Sequence, residues 1–142
     1  MIIQSQTKAW KDSSNQAGIA WILTKDQSIE PITGSLIIED VASPLMAESL
    51  ALRQGITEAL RLGLTSISVH SDCATLIRAI SSDSQIKEIY GVLQDIKNLS
   101  SHFHSISFLH VARSQDIDAD ELAKRALKAH SVSSCNVSGP AL

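Results

Sequence analysis

The spacing of the apolar residues changes near residue 44, and this change limits the folds that the chain can adopt. Before it, three short segments have the length and composition of antiparallel β-strands, and they are 2–10, 17–23 and 34–38. After it, Leu45, Leu52 and Ile56 recur at helical spacing, and Ser43-Pro44 is typical of a helix start. Consecutive strands followed by helices that alternate with strands favour a mixed sheet covered by helices.

The rest of the chain continues this alternation. Strands are predicted at 66–70 and 105–111, and helices at 72–80, at 86–99 and from about 118 onward. The predicted order is β-β-β-α-β-α-α-β-α, an α/β domain with a five-stranded mixed sheet flanked by helices. The two later strands follow helices, so we expect them to lie parallel to the first strand. We assign residues 1–130 to this single domain and the serine-rich residues 131–142 to a flexible tail.

Composition and charge exclude several classes of protein. Hydrophobic residues make up 44% of the 142 residues, which is enough for a core. The net charge of −3 argues against a protein that holds nucleic acid by bulk charge alone, but it does not exclude a local basic patch. Cys73 and Cys135 lack metal or redox spacing, and we read neither a signal peptide nor a membrane span. We expect a monomeric intracellular protein, nuclear or cytoplasmic.

Three acidic residues lie where a helix or strand meets the predicted end of the sheet. Glu48 shares a helix face with apolar residues, Asp72 follows a strand, and Asp120 lies in the first turn of the last helix. Each also has an ordinary explanation: a solvated rim for Glu48, a helix N-cap for Asp72 and a favourable helix-dipole position for Asp120. Together, carboxylates from three segments suit Mg²⁺ or Mn²⁺, and two such ions about 4 Å apart can clamp a phosphodiester for attack by water.

Histidines and basic residues near these positions allow more than one interpretation. His110 lies at the end of the last predicted strand and could assist proton transfer. His102 and His104 lack further soft ligands nearby, so we do not expect a zinc site. Four basic residues would either meet phosphates or form an ordinary solvated helix face. They are Arg113, Lys124, Arg125 and Lys128.

Four ordered motifs resemble the plant ribonuclease H-like domain of the ribonuclease H type 1 family, which is also found at the ends of non-LTR retrotransposon reverse transcriptases. The motifs are 47–55, 69–73, 108–113 and 119–124, and the similarity covers residues 2 to about 129. The predicted element order is also close to the ribonuclease H fold. The resemblance implies an endonuclease that cleaves the RNA strand of an RNA–DNA hybrid, using two Mg²⁺ ions held by four carboxylates.

The resemblance also assigns roles to individual residues. Three of the four family carboxylates correspond to Glu48, Asp72 and Asp120, and the mobile family histidine corresponds to His110. By the family pattern, Glu48 also contacts the 2′-hydroxyl side of the RNA, the group that distinguishes RNA from DNA. These correspondences imply that the four residues form the catalytic site.

The fourth family carboxylate is missing. In the family it stands three residues before a tryptophan, which places Thr7 at its position when counted back from Trp10, while a one-residue gap would place Lys8 there. A threonine hydroxyl is a weak metal ligand, and a lysine repels cations. The resemblance therefore implies an impaired two-ion site for Mg²⁺ or Mn²⁺.

These observations leave two functional hypotheses. The first is a divalent-metal RNA–DNA hybrid ribonuclease with a weakened metal site. The second is a catalytically silent module that binds nucleic acid or a protein. For either nucleic-acid function we expect RNA–DNA hybrid or another nucleic acid as the partner, contacted by Arg113, Asp116 and Lys124. Asp116 stands where the family commonly has asparagine.

Overall fold

Five strands form one mixed sheet in the computed structural model, which describes residues 3–25, 30–82, 85–115 and 117–137, with side chains described up to residue 129. The elements are β1 (Ile3–Lys11), β2 (Ala17–Thr24), β3 (Ile32–Ile38), α1 (Pro44–Arg61), β4 (Ser66–Ser71), α2 (Ala74–Ser81), α3 (Tyr90–Ser100), β5 (Ser105–His110) and α4 (Ile117–Val137). Short 3₁₀ turns occur at Lys87–Ile89 and Arg113–Gln115. The predicted order of strands and helices is confirmed.

The sheet has the strand order β3-β2-β1-β4-β5. β1, β2 and β3 pair antiparallel, while β4 lies parallel to β1, and β5 lies parallel to β4. The parallel strands β1 and β4 therefore end at the same edge of the sheet, where ligand sites of open α/β sheets lie.

Helices cover both faces of the sheet, and the alternation of side chains along β1 and β2 shows which helix covers which face. Gly55 of α1 lies against Thr7 and Trp21, which are partners in the β1–β2 register. Gly18 lies against Ala123 of α4 on the other face. The main hydrophobic core lies on the α1 side and contains buried residues of α1, α2, α3 and β4, among them Leu52, Ile56, Val69, Leu76 and Leu93.

Local capping sets the limits of α1. The Ser43 hydroxyl oxygen accepts a hydrogen bond from the backbone N–H of Met46 at 3.1 Å, and Pro44 occupies the first turn, as the sequence predicts. Beyond the last residue of the helix, Gly63 adopts a positive φ of 77° that favours glycine. Glu48 therefore lies near the start of α1, at the same edge of the sheet as the ends of β1 and β4.

The last helix is longer than its apolar pattern indicates. The backbone of α4 continues to Val137, past residue 130, where the sequence places the end of the domain. Residues 138–142 lie outside the described residues, so the division into a domain and a flexible tail stays a prediction. Within the described ranges, no helix combines the length and apolar character that crossing a bilayer requires.

Candidate functional site

Lys8 places its ammonium group between the carboxylates of Glu48 and Asp72. Its Nζ lies 2.8 Å from Glu48 Oε1 and 3.0 and 3.1 Å from the two carboxylate oxygens of Asp72. The three side chains are only 11%, 8% and 7% exposed. Because buried charges are screened little by solvent ions, these three residues form a tightly coupled group, which we call the ion cluster.

The register of the two parallel strands explains why Lys8 and Asp72 meet. Gln6 of β1 lies opposite His70 of β4. Continuing this register by two residues brings Lys8 level with Asp72, which directly follows the last residue of β4. Glu48 reaches the same point from the first turns of α1. Three separate elements thus converge at the carboxyl end of β4, although they are far apart in the sequence.

Burial changes the protonation of the ion cluster. Burial raises the pKa of Glu48 to about 7, with a further rise from the charge of Asp72 and an opposing effect of Lys8. Burial alone would lower the pKa of Lys8, but the two carboxylates outweigh it and hold the pKa above its ordinary value. Lys8 is therefore a fixed positive charge at neutral pH.

Glu48 uses only one of its two carboxylate oxygens in these contacts. Oε1 also accepts a hydrogen bond from the backbone N–H of Ala9 at 3.3 Å. Oε2 is buried and has no hydrogen-bond partner among the described residues. The residue lines a cavity of about 400 Å³ together with Lys8, Asp72 and Arg113. A buried acceptor beside a cavity can receive a hydrogen bond from a ligand.

Asp120 has a different set of contacts, which is organised around Trp10. The indole Nε1 of Trp10 donates a hydrogen bond to Asp120 Oδ1, and Lys124 Nζ lies 3.3 Å from Oδ2. Three cations surround the indole ring: Lys124 Nζ lies 4.5 Å from its centroid, the Arg113 guanidinium 5.2 Å and Lys8 Nζ 6.0 Å. We call Trp10, Arg113, Asp120 and Lys124 the tryptophan cluster.

The sequence patterns point to the basic residues of this cluster but not to the role of Trp10. In the sequence, Trp10 is used only as the reference residue that locates the missing carboxylate. Alternation along β1 would have placed Trp10 and Lys8 on one face of the strand. Of the two remaining basic candidates, Arg125 lines a separate cavity with Asp118 and Glu121.

The ordinary explanations for two of the acidic residues do not hold. Glu48 is buried rather than solvated at a rim. The N-cap of α2 is Cys73, so Asp72 does not cap that helix. Asp120 does lie in the first turn of α4, where the helix dipole favours a negative charge.

Of the two further candidate residues, the structure describes one. His110 ends β5 level with Ser71 and is exposed. Asp116 lies outside the described residues.

Thr7 and Lys8 point to opposite faces of β1. Thr7 is fully buried on the α1 side, where its Cγ2 would lie 2.8 Å from a Cβ added at Gly55. Its hydroxyl has no hydrogen-bond partner among the described residues. Counting along the sequence assigns Thr7 to the position of the missing carboxylate, with Lys8 as the alternative. The structure differs from that first choice, because it is Lys8 that lies beside Glu48 and Asp72.

The three carboxylates do not fit the two-ion site that the resemblance implies. Lys8 stands between Glu48 and Asp72, while Asp120 is engaged by Trp10 and Lys124. In the part of the chain that the structure describes, no group of three or more His, Cys, Asp or Glu side chains is arranged to hold a metal ion. An ammonium group that contacts both carboxylates also repels a divalent cation at close range.

Comparison with known proteins identifies the fold. The sequence profile of a family described as reverse transcriptase-like matches residues 6–126. RNase H1 from the halophilic archaeon Halobacterium salinarum matches with a TM-score of 0.82 and 20% identity, covering 91% of this chain and 99% of that one. The N-terminal RNase H domain of a Mycobacterium tuberculosis protein matches with a TM-score of 0.81 and 20% identity, covering 93% and 97%.

A third similar structure contains a ligand. LC11-RNase H1, isolated from compost by a metagenomic approach, was solved in complex with an RNA/DNA hybrid. That complex matches with a TM-score of 0.80 and 20% identity, covering 90% of this chain and 98% of that one. No curated protein matches the chain. The predicted ribonuclease H-like fold is confirmed.

Proposed function

The chain belongs to the reverse transcriptase-like family, and from that premise we propose that it is an RNase H-type domain that binds nucleic acid, with RNA–DNA hybrid as its ligand, and does not cleave it by a two-metal mechanism. The observation that carries this proposal is the tryptophan cluster next to the ion cluster. It supplies cations at the edge of the sheet where the family carboxylates gather. The hybrid bound to LC11-RNase H1, which has the same fold, supports the choice of ligand.

Local charge matters more here than the net charge of the chain. Phosphate contacts supply much of the affinity of nucleic-acid-binding proteins, and they act within a Debye length of about 8–10 Å. Arg113 and Lys124 both lie close to the Trp10 ring, and the Lys124 side chain is 46% exposed. A ring that contacts both cations limits their freedom, so less conformational entropy is lost when they meet phosphates. A net charge of −3 is therefore compatible with a binding edge.

The ion cluster favours binding over cleavage. A two-metal mechanism needs carboxylates that are free to hold both ions. Lys8 already neutralises part of the charge of Glu48 and Asp72. The second candidate is a weakened divalent-metal ribonuclease, which the retention of Glu48, Asp72 and Asp120 favours. Because the two candidates share the same nucleic-acid surface, binding and cleavage must be measured separately.

Binding is tested with fluorescently labelled RNA–DNA hybrid, double-stranded DNA and double-stranded RNA at several salt concentrations. We expect Arg113→Ala and Lys124→Ala each to weaken hybrid binding and to reduce the slope of log affinity against log salt by about 1. The matched control is Arg61→Ala, which also removes one positive charge but lies at the other end of α1, paired with Glu58. Equal losses of hybrid affinity in all three variants would contradict the proposal and favour the protein-interaction hypothesis. Hybrid binding that does not depend on salt would do the same.

Cleavage is tested with the same hybrid in Mg²⁺ and in Mn²⁺, beside the variant Asp72→Asn. We expect no difference in cleavage between the wild-type protein and the variant in either metal. Cleavage by the wild-type protein that disappears in Asp72→Asn would support the second candidate instead. Binding controls on the same preparations would show that both proteins are folded.

A further inference from the structure

We infer that Lys8 is a resident cation, whose ammonium group takes the place of a divalent ion between Glu48 and Asp72 and makes the site independent of metal. The inference predicts a latent metal site, which appears when the Lys8 charge is removed. One part of the inference, that hybrid binds without a metal ion, rests on the proposed function. The latent metal site itself does not depend on any nucleic acid.

The contacts of Lys8 are those of a cation shared by two ligands. One nitrogen contacts an oxygen of Glu48 and both oxygens of Asp72, at 2.8 to 3.1 Å. An ammonium group can donate three hydrogen bonds, and three carboxylate oxygens lie within reach. The site thus has a positive centre and a shell of hard oxygens, which is the arrangement that Mg²⁺ prefers, although Mg²⁺ requires shorter distances of about 2.1 Å.

Charge balance predicts that removing Lys8 makes the ion cluster more attractive to a divalent cation. With both carboxylates ionised, Lys8 leaves the cluster with one net negative charge, and without Lys8 the same two side chains carry two. The side chains are nearly buried, so bulk salt compensates little of this difference. Removing Lys8 therefore both eliminates repulsion of a metal ion and leaves two adjacent carboxylates that repel each other until a cation binds.

The shape of the site also allows a cation and its water shell to replace the lysine side chain. Glu48 Oε2 has no hydrogen-bond partner among the described residues and would supply a further oxygen ligand. A cavity of about 400 Å³ borders Lys8, Glu48 and Asp72. Mg²⁺ usually retains several water molecules when it binds to one or two carboxylates, so it needs such a space.

The alternative is that Lys8 only stabilises the fold through a buried ion pair. In that case its removal would destabilise the protein without creating affinity for a metal ion, because buried ion pairs often have no role beyond structure. The two explanations therefore differ in how the variants respond to Mg²⁺, and not in whether the variants are less stable.

The test is thermal unfolding of the full chain, with and without MgCl₂ at constant ionic strength, for wild type, Lys8→Gln and Lys8→Asp. We expect no Mg²⁺-specific change in Tm for wild type, and a saturable rise of several degrees for Lys8→Asp, as for any ligand that binds only the folded state. Lys8→Gln should respond in the same direction but less, since it supplies no third carboxylate. The matched control is Lys11→Gln, which removes one positive charge from the same strand and should behave as wild type.

Specificity is tested by combining Lys8→Asp with Asp72→Asn, which should abolish the response to Mg²⁺. Direct titration with Mn²⁺ should show affinity at least about tenfold higher for Lys8→Asp than for wild type, which corresponds to about 1.4 kcal/mol. If a Lys8 variant is unfolded without metal, Mg²⁺ should restore its folded circular dichroism spectrum. The inference would be overturned by a folded Lys8 variant that does not respond to the metal ion, or by an unfolded one that Mg²⁺ does not restore. It would also be overturned if the wild-type protein bound the metal ion and Asp72→Asn removed that binding.

A final measurement separates this inference from the proposed function. Hybrid affinity of the wild-type protein should be unchanged when EDTA replaces Mg²⁺ at constant ionic strength, whereas that of Lys8→Asp should require Mg²⁺. If the wild-type protein binds no hybrid while the Tm response of Lys8→Asp appears, the proposed function fails and the role of Lys8 stands. A wild-type affinity for hybrid that is lost with EDTA would overturn the inference alone.

Discussion

Gly55 in α1 leaves room for Thr7 of β1. Substituting Gly55 therefore tests which residue of the strand faces the helix. A Cβ at Gly55 would lie 2.8 Å from Thr7 Cγ2 and 3.3 Å from Ser5 Oγ. Carbon atoms in ordinary contact lie about 3.5–4.0 Å apart. Thr7 is fully buried, and its branched side chain has few rotamers available, so the helix and the strand would have to move apart.

The size of the effect follows from two opposing contributions. Overpacking a buried site costs about 1–3 kcal/mol, whereas alanine favours a helix over glycine by about 1 kcal/mol. We therefore expect Gly55→Ala to lower the free energy of unfolding by about 0–2 kcal/mol, a range too wide to identify the neighbour. Thr7→Ser, which removes the crowded methyl group, should cost about 1 kcal/mol alone. The double variant resolves the question because helix propensity cancels in a double-mutant cycle.

We expect the double variant to be more stable than the sum of the single effects by about 1–2 kcal/mol, since the alanine methyl fills the space that Thr7 Cγ2 leaves. The assay is urea unfolding followed by circular dichroism for the four proteins of the cycle. The control cycle pairs Thr7→Ser with Gly91→Ala in α3, where an added Cβ meets nothing within 4 Å. Additivity within about 0.3 kcal/mol in the Gly55 cycle would refute the placement of Thr7 and, with it, the assignment of Lys8 to the carboxylates.

Three further predictions test the site and the elements that position it. Burial raises the pKa of Glu48 from 4.5 to about 7, so its protonated form stabilises the folded state below pH 4.5 and this contribution is lost as the pH rises through 7. Glu48→Gln should therefore show a smaller fall in Tm than wild type over that pH interval, and an unchanged fall would contradict the raised pKa. Ser43→Ala should reduce the free energy of unfolding by about 1 kcal/mol in urea titrations, because Met46 N–H loses its cap; a loss near zero would argue against that cap. Gly34→Ala would place a Cβ 2.1 Å from the buried Trp21 ring, so we expect a loss of about 1–3 kcal/mol and altered tryptophan fluorescence. An unchanged spectrum and stability would show that the ring does not lie on Gly34.

Several parts of the site follow from local sequence patterns. Glu48 stands out because it is charged on an apolar helix face, and Asp72 because it directly follows a strand that leads to the edge of the sheet. The structure brings both residues to one point. Asp120 is equally visible in the sequence, and Lys124 follows it at the i,i+4 spacing of a helical ion pair. Its contact with Trp10 is not visible there, because it joins residues 110 positions apart. Proximity across such a separation depends on how α4 packs against β1.

The order of strands and helices and the limits of α1 are determined by the sequence itself. Periodicity, the Ser43 cap and the Gly63 turn are interactions within a few residues, so they can be recognised without a partner. The choice between Thr7 and Lys8 is different. Adjacent residues of a strand point to opposite faces, and a shift of one residue exchanges them. Only the pairing of β1 with β2 and β4, and the packing of α1 on one face, decides that Thr7 is buried in the core and that Lys8 meets the carboxylates.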